Sequence, residues 1–435
     1  MISIIIFGGT GDLAKKKLFK SLYNLYAKNL IPKNTKIIGF ARKDLSTDMY
    51  RQFVSEQLPD TLDLKAEFLE CFYYFQGDLY VESSYHDLRN FLIELDAQYK
   101  ICAYKLFYLS VRPELYGDVF TFLKKTNILY TCGDENDQNQ IWSRILIEKP
   151  FGTNFEHAKE LDTQLSTVIS ENQIFRIDHY LAKEALENIL IFRFKNSIFN
   201  AVWNKDFISK ITIKLFEKRT VEGRGEFYNQ AGALRDVGQN HALQMLSIVL
   251  MDKPEELNGV HIRSRRAEVL KTLVSSPYTS EHFDRGQYEA YLDHVQKSES
   301  NIETYFKATL QSTLPQWTGV PCVIESGKAM NKDETSIQID FLDGNTIYFD
   351  LSSTPRIALS FHIKDSGYDF KTSIKEFDFR DTEQNIFTLD AYEKILYQAV
   401  VGDVTSFVST QEVLEQWRII DDILKHWGHI PLRKY

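Results

Sequence analysis

The segment Ile2-Ser3-Ile4-Ile5-Ile6-Phe7 is a β-branched and aromatic run that breaks without a spacer into Gly8-Gly9-Thr10-Gly11. Beyond the glycines, Leu18, Leu22 and Leu25 fall at i, i+4 and i+7, the spacing of one apolar helix face. A strand that stops on glycines and turns directly into an amphipathic helix is the opening of a βα unit. The alternation then repeats, with further strands expected at 35–40, 72–75, 105–110, 144–148 and 174–178.

Strands alternating with helices close into a parallel sheet covered on both faces. The expectation is therefore a Rossmann-like domain over residues 1–178. After residue 205 the texture changes to alternating strands at 210–216, 336–341 and 345–351, with a strongly apolar helix near 234–251. That pattern suits an α+β fold, so residues 179–435 are expected to form a larger domain on an open antiparallel sheet. The polar stretches 133–140 and 297–304 read as surface loops.

The formal net charge of −9 removes any general attraction to nucleic acid or to an anionic membrane surface, so an anionic ligand needs a local basic pocket. Cys71, Cys102, Cys132 and Cys322 are widely separated and make no metal-ligand spacing; reduced thiols and a cytoplasmic setting are the expectation. No leader pattern precedes Ile2, and no run of about 20 apolar residues occurs, so no membrane span is expected.

Glycines between a buried strand and a helix N-terminus let the backbone approach a pyrophosphate, where free N–H groups and the helix dipole favour an anion. An ordinary Gly-rich turn remains the alternative, because the match to G-x-G-x-x-G is imperfect. At the end of the second strand, where an acid would bind the ribose hydroxyls of NAD, stand Arg42 and Lys43. Two cations there suit the 2′-phosphate of NADP, although Asp44 partly offsets them and a solvated turn would look the same.

Two further segments concentrate ionisable groups. In Arg176-Ile177-Asp178-His179-Tyr180-Leu181-Ala182-Lys183-Glu184, a helix starting near Tyr180 would set His179 and Lys183 about one turn apart. With the Tyr180 hydroxyl they could grip a phosphate monoester; the alternative is a helix start with a capping or packing histidine. In Leu234-Arg235-Asp236-Val237-Gly238-Gln239-Asn240-His241, the histidine lies at the rim of an apolar helix, where a general base needs a carboxylate to orient it. A satisfied core histidine is the competing reading.

These segments together resemble the glucose-6-phosphate dehydrogenase family. GGTGDLAKKK (8–17), EKPFG (148–152), RIDHYLAKE (176–184), EGRG (222–225), RDVGQNH (235–241), WTGVP (317–321) and SGKAM (326–330) occur in the family's order between Ile4 and about Trp417. The resemblance implies oxidation of C1 of glucose 6-phosphate to the 6-phospho-lactone, with hydride passing to NADP; NAD stays open as a second acceptor. It implies that His241 takes the C1 hydroxyl proton and that Asp178 pairs with its imidazole. His179, Tyr180 and Lys183 would hold the phosphate, Glu217, Asp236 and Lys328 would contact the sugar, and Lys149 would serve both substrate and cofactor. Gly8, Thr10, Gly11, Asp12, Leu13, Arg42 and Asp78 would bind NADP. A homodimer or dimer of dimers built on the large sheet is implied as well.

The chain departs from the family pattern at three places. Ala182 replaces a glycine, Asn229 an aspartate, and Asp333 the second basic residue beyond the S-G-K motif, with Lys332 adjacent as a replacement if the register slips by one. Since the sequence stops soon after the last matched segment, no additional C-terminal nucleotide site is expected. Two rival functions are a sugar oxidoreductase of the glucose–fructose oxidoreductase type and a non-catalytic sugar-phosphate sensor. RIDHYLAKE argues against the first, and the joint presence of His241 and Asp178 against the second.

Overall fold

The computed structural model describes residues 1–131, 142–352, 354–380 and 389–435. The polar stretch 133–140, read above as a loop, lies outside them. The first sheet contains β1 (Ile2–Phe7), β2 (Lys36–Ala41), β3 (Phe72–Gln76), β4 (Tyr104–Leu109), β5 (Ser143–Ile147) and β6 (Ile174–Ile177) in the order β6-β5-β4-β1-β2-β3, all parallel. Every residue of β1 is buried, as a strand with neighbours on both sides and helices over both faces requires. Ile5 stands opposite Ile38 of β2 and Phe107 of β4, so the switch in strand order falls beside the Gly8 turn.

A late segment completes this sheet. Phe407–Val408 pairs antiparallel with β6, and the helix Ala391–Val401 is tied in by Arg144, which donates to the Ala399 and Val400 carbonyls at 2.6 and 2.7 Å. Lys28 adds an ion pair to Glu393 at 3.0 Å. The first compact unit therefore comprises Met1–Ala182 with Asn258–Val260 and Leu389–Thr410, whereas the division at 178/179 expected above is continuous along the chain.

The second unit comprises Lys183–Leu257, His261–Thr388 and Gln411–Tyr435. Its sheet is built from β7 (Ile208–Phe216), β8 (Leu273–Ser275), β9 (Phe283–Gln287), β10 (Tyr305–Ser312), β11 (Cys322–Gly327), β12 (Glu334–Phe341), β13 (Thr346–Asp350), β14 (Arg356–Lys364) and β15 (Thr372–Arg380). The order is β15-β14-β13-β12-β7-β11-β10-β9, with Leu432–Lys434 beyond β9 and β8 beside β10. It is mostly antiparallel as expected, but β7–β11 and β9–Leu432–Lys434 pair in parallel. A long connection lies between β7 and β11, and only such a connection lets a strand return in the same direction.

Along the chain between β7 and β8, the helix Gly225–Ala233 breaks at Gly232 (φ 71°), passes into a wide π-helical stretch at Leu234–Ala242, and continues as Leu243–Leu250. Every residue of Leu243–Leu250 is buried, which explains its apolar character on all faces. The opposite edge of the sheet is different: β15 is almost wholly exposed and shows Phe377 and Phe379 to solvent.

Cys71 and Cys322 are free and buried, and burial pushes the Cys322 thiol up to about 12. Cys102 is disulfide-bonded, which corrects the expectation that all four cysteines are thiols; wide spacing along a chain sets no minimum distance in the fold. Among the described residues no helix is long and apolar enough to cross a membrane, and no cluster of His, Cys, Asp or Glu is set to hold a metal.

Candidate active site

In the first unit, β1 ends in a turn whose glycines are forced by close backbone approach. Gly8 has φ 82°, and a side chain there would collide with the Ser110 carbonyl. A Cβ at Gly9 would lie 2.7 Å from the Gly39 Cα, and one at Gly11 3.0 Å from the Gly8 oxygen. The Tyr50 hydroxyl donates to the Gly9 carbonyl at 2.9 Å and fixes the turn from behind. Thr10 is half-buried, and Asp12 and Leu13 form the first helical residues, so the N–H groups of an opening helical turn stand next to the glycines. Another π-helical stretch, Ala14–Leu18, follows at once. The cradle that side chains would fill fits a dinucleotide phosphate.

Arg42 and Lys43 follow β2 and are exposed, while the Tyr74 hydroxyl donates to the carbonyls of Ala41 (3.0 Å) and Lys43 (2.6 Å) and pins their loop. Lys15 and Lys43 each lie 5.4 Å from the centre of the Phe53 ring, so a third cation that sequence reasoning missed shares this region. Asp78, beyond β3, uses Oδ1 to accept the Tyr80 N–H at 3.0 Å, so it shapes its own turn.

At the end of β5 the Lys149–Pro150 peptide is cis. Glu148 precedes it, and its Oε1 accepts the Tyr108 hydroxyl at 2.5 Å while its carbonyl accepts Tyr116 at 2.7 Å. Burial pushes the Glu148 carboxyl up to about 6, against the pull of the Tyr108 hydrogen bond and of Lys149. Only its place in EKPFG drew notice in the sequence; an acid closing an apolar strand was the available signal.

Asp178 is 1 % exposed and follows β6. Its Oδ1 accepts the Tyr180 N–H at 3.0 Å and its carbonyl the Leu181 N–H at 3.0 Å, so residues 179–182 form a turn and the helix starts only at Glu184. The helix expected from Tyr180 is thereby corrected: Asp178 captures the backbone donors that a helix would have used. The His179 ring is stacked on Tyr392 (6.4 Å between centres, 14° between planes), a residue of the late segment that sequence reasoning missed.

In the second unit, Lys183 caps the helix Glu184–Lys195, and its Nζ donates to the Leu351 carbonyl at 3.4 Å. Glu217 follows β7 and Lys328 follows β11, strands that run side by side in parallel. Lys328 forms a short ion pair with Glu217 and lies 3.8 Å from Asp236. The Tyr435 hydroxyl donates to the Lys328 carbonyl at 2.8 Å and anchors its backbone. Asp236 and His241 share the π-helical stretch, with His241 only 2 % exposed and its N–H donated to Asn240 Oδ1 at 2.7 Å.

The three departures have local explanations. Ala182 is buried in the core of the first unit without a left-handed backbone, so a methyl is accommodated. Asn229 Oδ1 accepts the Tyr291 hydroxyl at 3.1 Å and the Ser300 hydroxyl at 2.7 Å, so an acceptor is kept where the family pattern has a carboxylate. Asp333 Oδ1 accepts the Lys218 N–H at 2.8 Å, while Lys332 is paired with Glu334 at 2.8 Å.

Residues 5–188 match the family model described as the NAD binding domain of glucose-6-phosphate dehydrogenase, and 190–435 the model of its C-terminal domain. The glucose-6-phosphate 1-dehydrogenase of Streptococcus pneumoniae serotype 4 is 35% identical across 100% of this chain and 92% of its own. That of Bacillus subtilis strain 168 is 34% identical across 98% and 91%. A solved glucose-6-phosphate dehydrogenase in complex with its substrate superposes with a TM-score of 0.90 at 31% identity, over 100% of this chain and 94% of the other. Glycine cradle, buried histidine and acid–lysine cluster thus sit in a chain matched from end to end, and the chain belongs to the glucose-6-phosphate dehydrogenase family.

Proposed function

We propose that this chain oxidises the C1 hydroxyl of glucose 6-phosphate to the 6-phospho-lactone with NADP as acceptor. The observation that carries the reading is the Glu217–Lys328–Asp236 cluster on the unit that also holds buried His241. A polyol is bound by acceptors for its hydroxyls, and the proton of its C1 hydroxyl needs a base held in one place while the hydrogen on C1 leaves as hydride. His241 is that base, and Asp178 keeps the role that the resemblance assigns it, steadying the charged imidazole. His179, Tyr180 and Lys183 bind the phosphate, with Lys149 serving substrate and cofactor.

NADP is held by the turn from Gly8 to Leu13 with Thr10, Gly11 and Asp12, and by Arg42 and Asp78; when bound, its nicotinamide supplies the hydride acceptor. The exposed Arg42–Lys43 pair favours NADP over NAD. The partner is a second copy of the chain, giving a homodimer or a dimer of dimers. Support comes from the apolar face left open by Phe370, Phe377 and Phe379, with Phe370 at 91% exposure. A cytoplasmic setting goes with this reading.

The test is a panel of glucose, glucose 6-phosphate, galactose 6-phosphate and glucosamine 6-phosphate, each with NAD and with NADP, followed by nicotinamide absorbance. Turnover confined to glucose 6-phosphate with NADP preferred is expected. Faster turnover of free glucose, or none with any sugar, would refute the reading.

A further inference from the structure

Glu303 lies in the polar stretch that reads as a surface loop, yet it is 3 % exposed. Its Oε1 accepts the Leu234 N–H at 2.9 Å and its Oε2 the Trp427 indole N–H at 3.2 Å, while its carbonyl accepts the Ala233 N–H at 3.0 Å. Burial pushes its carboxyl up, and the Leu234 N–H pulls it back. A buried carboxylate is costly unless donors and local field compensate it. Both are present here, because Leu234 opens a helical run and presents its unpaired N–H groups and positive dipole.

The backbone is shaped to admit this group. At Gly232, where the preceding helix breaks with φ 71°, a Cβ would lie 2.5 Å from Glu303 Oε1, so a side chain at 232 and the carboxylate exclude each other. Asp236 is two residues beyond the anchored N–H, and His241 lies further along the same stretch. π-helical turns occur frequently at functional sites, and along any helical run the direction of each side chain follows from its place relative to the start.

We propose that Glu303 is a positioning residue for proton transfer: by fixing the start of Leu234–Ala242 it sets the orientation of Asp236 and His241. This rests on the reading of His241 as the base. Glutamine keeps an oxygen for the Leu234 N–H, whereas alanine removes it.

The test uses the full chain, with active molecules counted by the stoichiometry of glucose 6-phosphate binding, which reports on the unit that holds Glu303, so that lost folding cannot imitate lost catalysis. Per active molecule, Glu303→Ala is expected to lower kcat by roughly 10- to 100-fold, as small misplacements of reacting groups do, with KM for sugar phosphate changed by less than about threefold. Glu303→Gln should restore kcat to within about threefold of the native chain. If Glu303→Ala does not fold, Gly232→Ala replaces it, since its methyl displaces the carboxylate, and the same loss is expected. Unchanged kcat per active molecule in the alanine variants, beside an inactive His241→Asn, would overturn the proposal alone. Retained kcat in His241→Asn would overturn the base assignment and this proposal together.

Discussion

Asp333 accepts the backbone N–H of Lys218 at 2.8 Å, one residue beyond Glu217, which pairs with Lys328. A carboxylate thus clamps backbone at a position where the family pattern carries a cation. Removing such a hydrogen bond at an exposed site costs on the order of 1 kcal/mol. Asp333→Ala should therefore raise KM for glucose 6-phosphate several-fold with KM for NADP unchanged, and Asp333→Asn should recover most of the difference. Initial rates over both substrates check this; a parallel rise in both KM values would contradict it.

His241 is buried in the same stretch as Asp236, so its loss should affect the chemical step more than binding. His241→Asn is expected to lower kcat by a factor on the order of 10² to 10⁴ while the dissociation constant for glucose 6-phosphate stays close to native. Isothermal titration beside steady-state kinetics separates the two. Near-normal kcat, or a loss confined to binding, would mean that another group is the base.

Lys183 is half-buried at the start of the helix Glu184–Lys195, and its Nζ donates to the Leu351 carbonyl at 3.4 Å; a phosphate would offer it a charged acceptor in place of a neutral one. Lys183→Ala should cost roughly 2–4 kcal/mol in kcat/KM for glucose 6-phosphate and little for free glucose. Equal losses with both sugars would remove Lys183 from the phosphate clamp.

Glu148 gives a prediction in pH. Its carboxyl is pushed by burial from its ordinary 4.5 to about 6, so the folded chain holds this proton more tightly than the unfolded one. The protonated group adds stability that is fully present below 4.5 and is lost as pH rises through 6, an amount on the order of 2 kcal/mol. Glu148→Gln should match the native chain in acid and exceed it in Tm above pH 6. Identical pH dependence in the two proteins would show that Glu148 ionises as it does in water.

The parallel sheet was legible because its evidence is local: Ile2–Phe7 and the leucines of the next helix carry their own periodicity. The apolar helix near residues 234–251 was legible for the same reason. The parallel pairing of β7 with β11 was not, since it depends on a long connection whose return direction leaves no mark on either strand. Glu303 looked like loop surface because its partners, Leu234 and Trp427, are remote in sequence. Tyr392 was missed likewise, and the false helix start at Tyr180 came from counting spacing while Asp178 competes for the backbone.

The pairing of Phe407–Val408 with β6 bears on how the chain is made. A ribosome delivers β1 to β6 long before residue 407, so during most of translation one border of the first sheet has unpaired backbone donors and acceptors. Such a border templates adventitious strand addition. In the interval before Phe407 emerges that border is open to adventitious pairing, and a fragment stopping at Ala182 would carry it permanently.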